Sequence, residues 1–94
     1  MTRAIWNGAV LAESDDCIVL EGNVYFPPDA VQRRYLRDSD TESVCPWKGL
    51  ANYFSVDVDG QVNPDAAWYY ANPRSAVHYL THYVAFRHGV EIQP

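Results

Sequence analysis

The sequence predicts a mainly β fold. Short antiparallel strands would form a tent, a sandwich or a partly open barrel, with one or two short helices. Three observations carry this expectation. Turn signals built from Gly, Pro, Asn and Asp punctuate the whole chain. The stretches between them are short and rich in Val, Ile, Tyr, Phe and Trp, which suit a pleated, half-buried surface. No segment offers a helix long enough to serve as the crossover of a parallel βαβ unit. With 94 residues the chain fits one domain spanning 1–94, whose core is modest.

The elements follow in order. Asn7-Gly8 takes positive φ at low cost and predicts a type I′ hairpin between strands at about Arg3–Trp6 and Ala9–Glu13. Ser14-Asp15-Asp16 turns the chain into a strand at Cys17–Leu20. Glu21-Gly22-Asn23 reverses it, and Val24–Phe26 returns until Pro27-Pro28, which cannot donate to a ladder. Pro28–Arg33 suits one helical turn, with Asp29 at its positive end. Tyr35-Leu36-Arg37 is ambiguous, and Asp38-Ser39-Asp40 reads as a loop. Thr41–Cys45 is a strand running into a Pro-Trp-Lys-Gly turn, and Leu50–Val58 is a long strand closed by Asp59-Gly60. Val62 extends the partner strand, Asn63-Pro64-Asp65 turns, and Ala66–Tyr70 forms a short strand. Asn72 as N-cap and Pro73 at the first position predict a helix from Pro73 to about Tyr79. Tyr83–Phe86 and Val90–Ile92 would form a last hairpin around His88-Gly89.

Composition removes several function classes. A net charge of −5 argues against a nucleic-acid partner, since phosphate backbones are bound by clustered Lys and Arg. The one basic cluster, Arg33-Arg34 with Arg37, is followed by Asp38 and Asp40 and reads as a solvated face. No apolar run approaches the ~20 residues needed to cross a bilayer, so no membrane partner is expected and a cytoplasmic location is. Cys17 and Cys45 lie far apart and outside any Cys-x-x-Cys pair, so free thiols are expected. No metal site and no cofactor is expected. His78 and His82 stand at i, i+4, but Tyr79 occupies the place of the catalytic Glu of a metalloprotease helix. No Gly-rich phosphate cradle is present.

Three constellations carry chemistry. In Cys45-Pro46-Trp47-Lys48-Gly49, a thiol, a large ring and a cation share one tight turn. Lys48 beside Cys45 would raise the thiolate fraction of Cys45. The bland alternative is a buried Cys45, Trp47 capping the core and an exposed Lys48. In Asn63-Pro64-Asp65-Ala66-Ala67-Trp68-Tyr69-Tyr70, Trp68 and Tyr70 share a strand face while Tyr69 points away. Asn63 reads as a turn residue, and Asp65 stays open between turn and site. In Glu21-Gly22-Asn23-Val24-Tyr25-Phe26, Glu21 sits beside a flexible Gly and Tyr25 shares a face with Asn23, against the alternative of a plain hairpin tip. Asp57-Val58-Asp59 also places two carboxylates on one face, a spacing used in magnesium-dependent nucleotidyl transfer.

These stretches, with Trp6-Asn7-Gly8 and Val84-Ala85-Phe86, resemble the domain-of-unknown-function 427 family, which also carries a nucleotidyltransferase-like label. The likeness runs nearly from end to end. It implies a compact β-rich domain similar to small tent-like folds, some of which cage ligands between aromatic rings. Trp6, Trp47 and Trp68 would converge in such a cage. It implies no established activity.

The expected function is binding of an unknown small molecule, with an enzyme left open. Trp47, Trp68, Tyr70 and Tyr25 would form the walls. Lys48 would bind an anionic or carbonyl group, with Glu21 or Asp65 opposite, and Lys48, Glu21 and Cys45 are the groups available for catalysis. The alternatives are a structural or protein-interaction module, in which an edge strand would make a homodimer, and nucleotidyl transfer through Asp57 and Asp59.

Overall fold

The computed structural model describes residues 1–94. With 57% of residues in strands and its helical content, 13%, confined to short 3-10 turns, the protein is mainly β, and its sheets do not close into a barrel. The strands are β1 (Thr2–Trp6), β2 (Ala9–Ser14), β3 (Ile18–Leu20), β4 (Asn23–Tyr25), β5 (Leu36–Cys45), β6 (Gly49–Val58), β7 (Gln61–Tyr69), β8 (Val84–Phe86) and β9 (Glu91–Gln93). They make three antiparallel sheets, in the orders β2-β1-β9, β3-β4 and β5-β6-β7-β8.

Asn7-Gly8, Glu21-Gly22 and Asp59-Gly60 each carry positive φ at both central positions, so all three hairpins have the mirror-image turn that matches strand twist. His88-Gly89 has the same signature yet closes no hairpin. One side of β8 is occupied by β7. On the other, Phe26 exchanges two backbone hydrogen bonds with Val84, at 2.8 and 2.9 Å. No free edge is left for residues 91–93, and they pair with β1 instead. The expected last hairpin is therefore replaced by a strand that carries the chain back to its beginning.

Two expected breaks are bulges inside longer strands. Asp38-Ser39-Asp40 lies within β5, where the register slips between Asp38 and Glu42 opposite β6. Asn63-Pro64-Asp65 lies within β7, where the register slips between Phe54 and Val56. Pro64 has no N–H to give a ladder, and Asp65 has φ 52, so the chain bulges around them rather than turning. Ala66 and Ala67 are consequently both buried, against strict alternation. A further bulge in β1–β2, between Ala4 and Ile5, buries Leu11 and Ala12 together in the same way.

The helical expectations also shift. Pro28–Ala30 and Arg33–Tyr35 are separate 3-10 turns, divided by Val31, which is buried and bridged to Ala12. The expected Pro73–Tyr79 helix is a kinked 3-10 segment, Ser75–Leu80, entered through Arg74 without a side-chain cap. The Arg74 N–H is held by the Lys48 carbonyl at 2.9 Å, which ties residue 74 to the 46–49 turn and delays the first helical turn.

Burial separates the two faces of the large sheet. Phe54, Val56, Val58, Ala67, Val84 and Phe86 join Ala4, Leu11 and Phe26 in one core, against the sheet of β1, β2 and β9. Ala51, Ala85, Tyr25 and Tyr70 form a second core, covered by Val77 and Leu80. Phe26 belongs to the first, with its ring edge-on to Phe86 at 5.8 Å. It also supplies the bridge that joins β4 to β8, so it holds two sheets together. Truncating it removes a fully buried ring: Phe26→Ala should lower stability by about 3–5 kcal/mol, measured by urea denaturation.

Candidate functional site

Cross-strand partners share a face, so Tyr53, Trp68 and Ala85, aligned across β6, β7 and β8, point to the side of the second core. Cys45 and Tyr70 pack there too. Tyr25 stands edge-on to Trp68, with centroids 6.1 Å apart. Tyr69 takes the opposite face and stacks on Phe54 at 4.7 Å. The expected pairing of Trp68 with Tyr70 away from Tyr69 is what this sheet shows.

The turn between β5 and β6 delivers Lys48 to that face. Gly49 closes it with φ 113, a dihedral that side chains rarely adopt. Lys48 is only 6% exposed, whereas Trp47 stays 42% exposed. The Lys48 ammonium donates a hydrogen bond to Glu21 Oε1 and makes a salt bridge with it. Trp47 Nε1 donates to Glu21 Oε2 at 3.2 Å. The ammonium lies 5.4 Å from the Trp47 ring centroid and 5.8 Å from that of Tyr70, within cation–π range. The expected exposed Lys48 of the bland reading is thus replaced by a buried one. Glu21 reaches it from the β3–β4 hairpin in a left-handed conformation, φ 54, that costs a residue with a Cβ about 1–2 kcal/mol.

Electrostatics follow from this packing. Burial disfavours the Lys48 charge, but the Glu21 hydrogen bond and the fields of Tyr25, Tyr70 and Glu21 outweigh it, and the net shift is upward. The Lys48 hydrogen bond holds Glu21 below the usual carboxylate range, with some opposition from burial. Burial pushes the Tyr70 hydroxyl up to about 12 even though Lys48 pulls the other way. Tyr70 is therefore a proton donor at neutral pH. Tyr25 Oη is buried and has no hydrogen-bond partner, which leaves a donor unsatisfied at a cost of about 1–3 kcal/mol. An ammonium and two phenols in one low-dielectric corner can hold an anionic or polarised carbonyl oxygen.

Asp65 sits at the far end of the same sheet. Its carboxylate accepts from Ser39 Oγ and from Thr41 Oγ1 at 2.7 Å, and its backbone N–H donates to Ser55 Oγ at 3.1 Å. The two hydroxyl bonds lower its pKa. Asp65 therefore staples the β5 bulge to the β7 bulge across β6, while Glu21 is the carboxylate facing Lys48. Between the two ends lie groups that sequence reading passed over. Arg87 lies 4.8 Å over the Tyr53 ring, and Tyr53 Oη shares a 2.9 Å hydrogen bond with Ser43 Oγ. Alternation along β6 was the signal that places Tyr53 beside Trp68.

Other candidates are placed as follows. Cys45 lies at the edge of the second core, and its thiol has no hydrogen bond to Lys48 or to any histidine. Cys17 is also free, with its pKa raised by burial and by Asp16 and Asp15. Trp6 packs against the first core, so the three tryptophans do not converge. Asp57 is paired with Arg37 at 3.5 Å and caps the Gly60 N–H at 3.0 Å, while Asp59 occupies the hairpin tip. No three His, Cys, Asp or Glu groups cluster as metal ligands do. No helix is long and apolar enough to cross a membrane. Open concavities lie away from Lys48. One of about 400 Å³ adjoins Arg33, Asp38, Tyr69 and His82, and one of about 560 Å³ adjoins Arg34, Arg37 and Asp59.

The family model of a domain of unknown function (DUF427) matches residues 1–93. The chain belongs to this family. The match takes in both the turn that carries Lys48 and the hairpin that carries Glu21, so the paired groups lie inside the DUF427 unit. Comparison with curated proteins returned no match.

The ion pair sets a pH dependence. Glu21 has a lowered folded-state pKa, so its contribution is present above its unfolded value and fades as pH falls through the folded one. The stability gap between the wild type and Glu21→Gln should stay constant between about pH 6 and 8 and close below about pH 4.5, followed by chemical denaturation across that range.

Proposed function

We propose that this DUF427 domain binds a small molecule bearing a carboxylate, phosphate or carbonyl oxygen, and that Lys48 is the group that receives it. The observation that supports this reading is the buried Tyr25 hydroxyl, left without a partner beside a buried ammonium. Native proteins seldom leave such a donor unsatisfied unless it serves something else. Glu21 occupies the anion position. Its side chain is 45% exposed and sits on a strained turn, so it can swing outward and yield the ammonium to an incoming oxygen. Tyr25 and Tyr70 would then donate to the same oxygen, and Trp47 and Trp68 would flank the ligand body. With Glu21 released as a base beside an electrophilic Lys48 corner, the site also has the parts for acid–base catalysis. Two free cysteines suit a reducing, cytoplasmic setting.

A second reading is a protein-interaction module. It is favoured by the β5–β6 hairpin, where Val44, Trp47 and Leu50 are exposed beside the free edge of β5. In that reading the ion pair is a latch, and the chain pairs as a homodimer through β5.

The two readings separate on one set of measurements. Lys48→Met should lower the melting temperature only by the small amount that its pair with the half-exposed Glu21 supplies. A thermal-shift screen of carboxylates, phosphates and carbonyl compounds should give a hit that stabilises the wild type by ~2.7 kcal/mol at 100 times its dissociation constant and does nothing for Lys48→Met. A Lys48→Met protein that loses several kcal/mol, with no hit on the wild type and a dimer in sedimentation, favours the module.

A further inference from the structure

The sheet that carries Lys48 has a second cleft, on its other face. Its floor is Phe54 and Val84, both buried, with Tyr69 stacked on Phe54 at 4.7 Å and an interplanar angle of 21°. Its rim holds Arg33, Asp38 and His82. Arg33 reaches over the Phe54 ring at 5.8 Å, and the His82 ring lies 6.3 Å from Tyr69. The volume, about 400 Å³, falls in the range of small-ligand sites.

The charges on this rim are unengaged. The chain has four salt bridges, and none includes Arg33 or Asp38. No side-chain hydrogen bond is made by Arg33, Asp38 or His82 either. Two opposite charges thus border one cleft without neutralising each other. His82 is held there in a left-handed conformation, φ 63, by a 2.9 Å hydrogen bond from its N–H to the Tyr70 carbonyl. Asp38 is fixed across from Phe54 in the β5–β6 register, on the same face.

We infer that this cleft is a binding site for a zwitterionic ligand with a flat apolar side, the chemistry of a free aromatic α-amino acid. The carboxylate pairs with the Arg33 guanidinium, whose planar fork matches its two oxygens. The ammonium pairs with Asp38. The ring lies against Tyr69, and the His82 imidazole donates to the carboxylate or closes over the ring. A simple anion would be repelled by Asp38 and a simple cation by Arg33, so the two charges together select a ligand that carries both. This site is separate from the Lys48 corner, which lies on the opposite face.

The test is a titration of the isotopically labelled protein, followed by backbone-amide NMR, with L-phenylalanine, phenylacetate and phenethylamine. L-phenylalanine should give saturable shifts, in the millimolar range, centred on Phe54, Tyr69 and His82. Each single-charge compound should bind about tenfold more weakly. Arg33→Gln should weaken phenylalanine and phenylacetate but not phenethylamine, and Asp38→Asn the reverse. Shifts centred on Phe54, Tyr69 and His82 should persist in Lys48→Met, and any shifts around Tyr25 and Tyr70 that this variant removes belong to the site proposed above. Both rim residues are exposed, so the variants should melt like the wild type. Absence of saturable shifts, equal binding of the three compounds, shifts centred elsewhere, or variants without effect would overturn the assignment.

Discussion

An ammonium taken out of water must bring a partner with it. Lys48 is nearly inaccessible, and its charge survives because Glu21 comes to meet it from another hairpin. Much of the local geometry follows from that requirement. The β3–β4 turn accepts a glutamate in a left-handed conformation where Asn, Asp or Gly would be easier. The indole of Trp47 stays at the surface, where its N–H can share the same carboxylate. The carbonyl of Lys48 anchors Arg74, and with it the segment that roofs the second core. A single buried charge thereby couples three parts of the chain distant in sequence.

The opposite end of the sheet is organised by a carboxylate with a different task. Asp65 ties Ser39 and Thr41 across the middle strand, so two bulges come to lie side by side. Each bulge bends its own strand and increases the local twist. One face of this sheet carries the polar-aromatic row from Tyr25 to Arg87, and the other carries the cleft beside Tyr69. The two carboxylates differ in kind: that of Asp65 is anchored by two hydroxyls, whereas Glu21 sits on a half-exposed arm.

The hairpins were legible because Asn-Gly, Glu-Gly-Asn and Asp-Gly state their dihedrals locally. So was the shared face of Trp68 and Tyr70, a matter of counting by two. That Lys48 faces a carboxylate was readable as chemistry, with Glu21 and Asp65 both eligible, and only the packing of the β3–β4 hairpin selects Glu21. What stayed hidden depends on distant neighbours. Asn63-Pro64-Asp65 has the composition of a turn, and only the continuing β6 makes it a bulge. Val90–Ile92 looks like the return arm of a hairpin, and only the arrival of Phe26 at Val84 removes the edge it would use. Arg87 and the Arg33–Asp38 rim carry no local signature, and alternation along β6 gives Tyr53 a face but not its neighbour. They matter because sheet register sets them beside other groups.

Strand β9 lies against β1, so residues 91–93 complete a sheet begun at residues 2–6. A pairing between such remote segments cannot nucleate early, since the loop it closes takes in every strand from β2 to β8. Until β9 has been made, the β1–β2 hairpin keeps one edge open. The first sheet is thus biased toward closing after the hairpins, and until it does the flank of β1 is an unpaired edge.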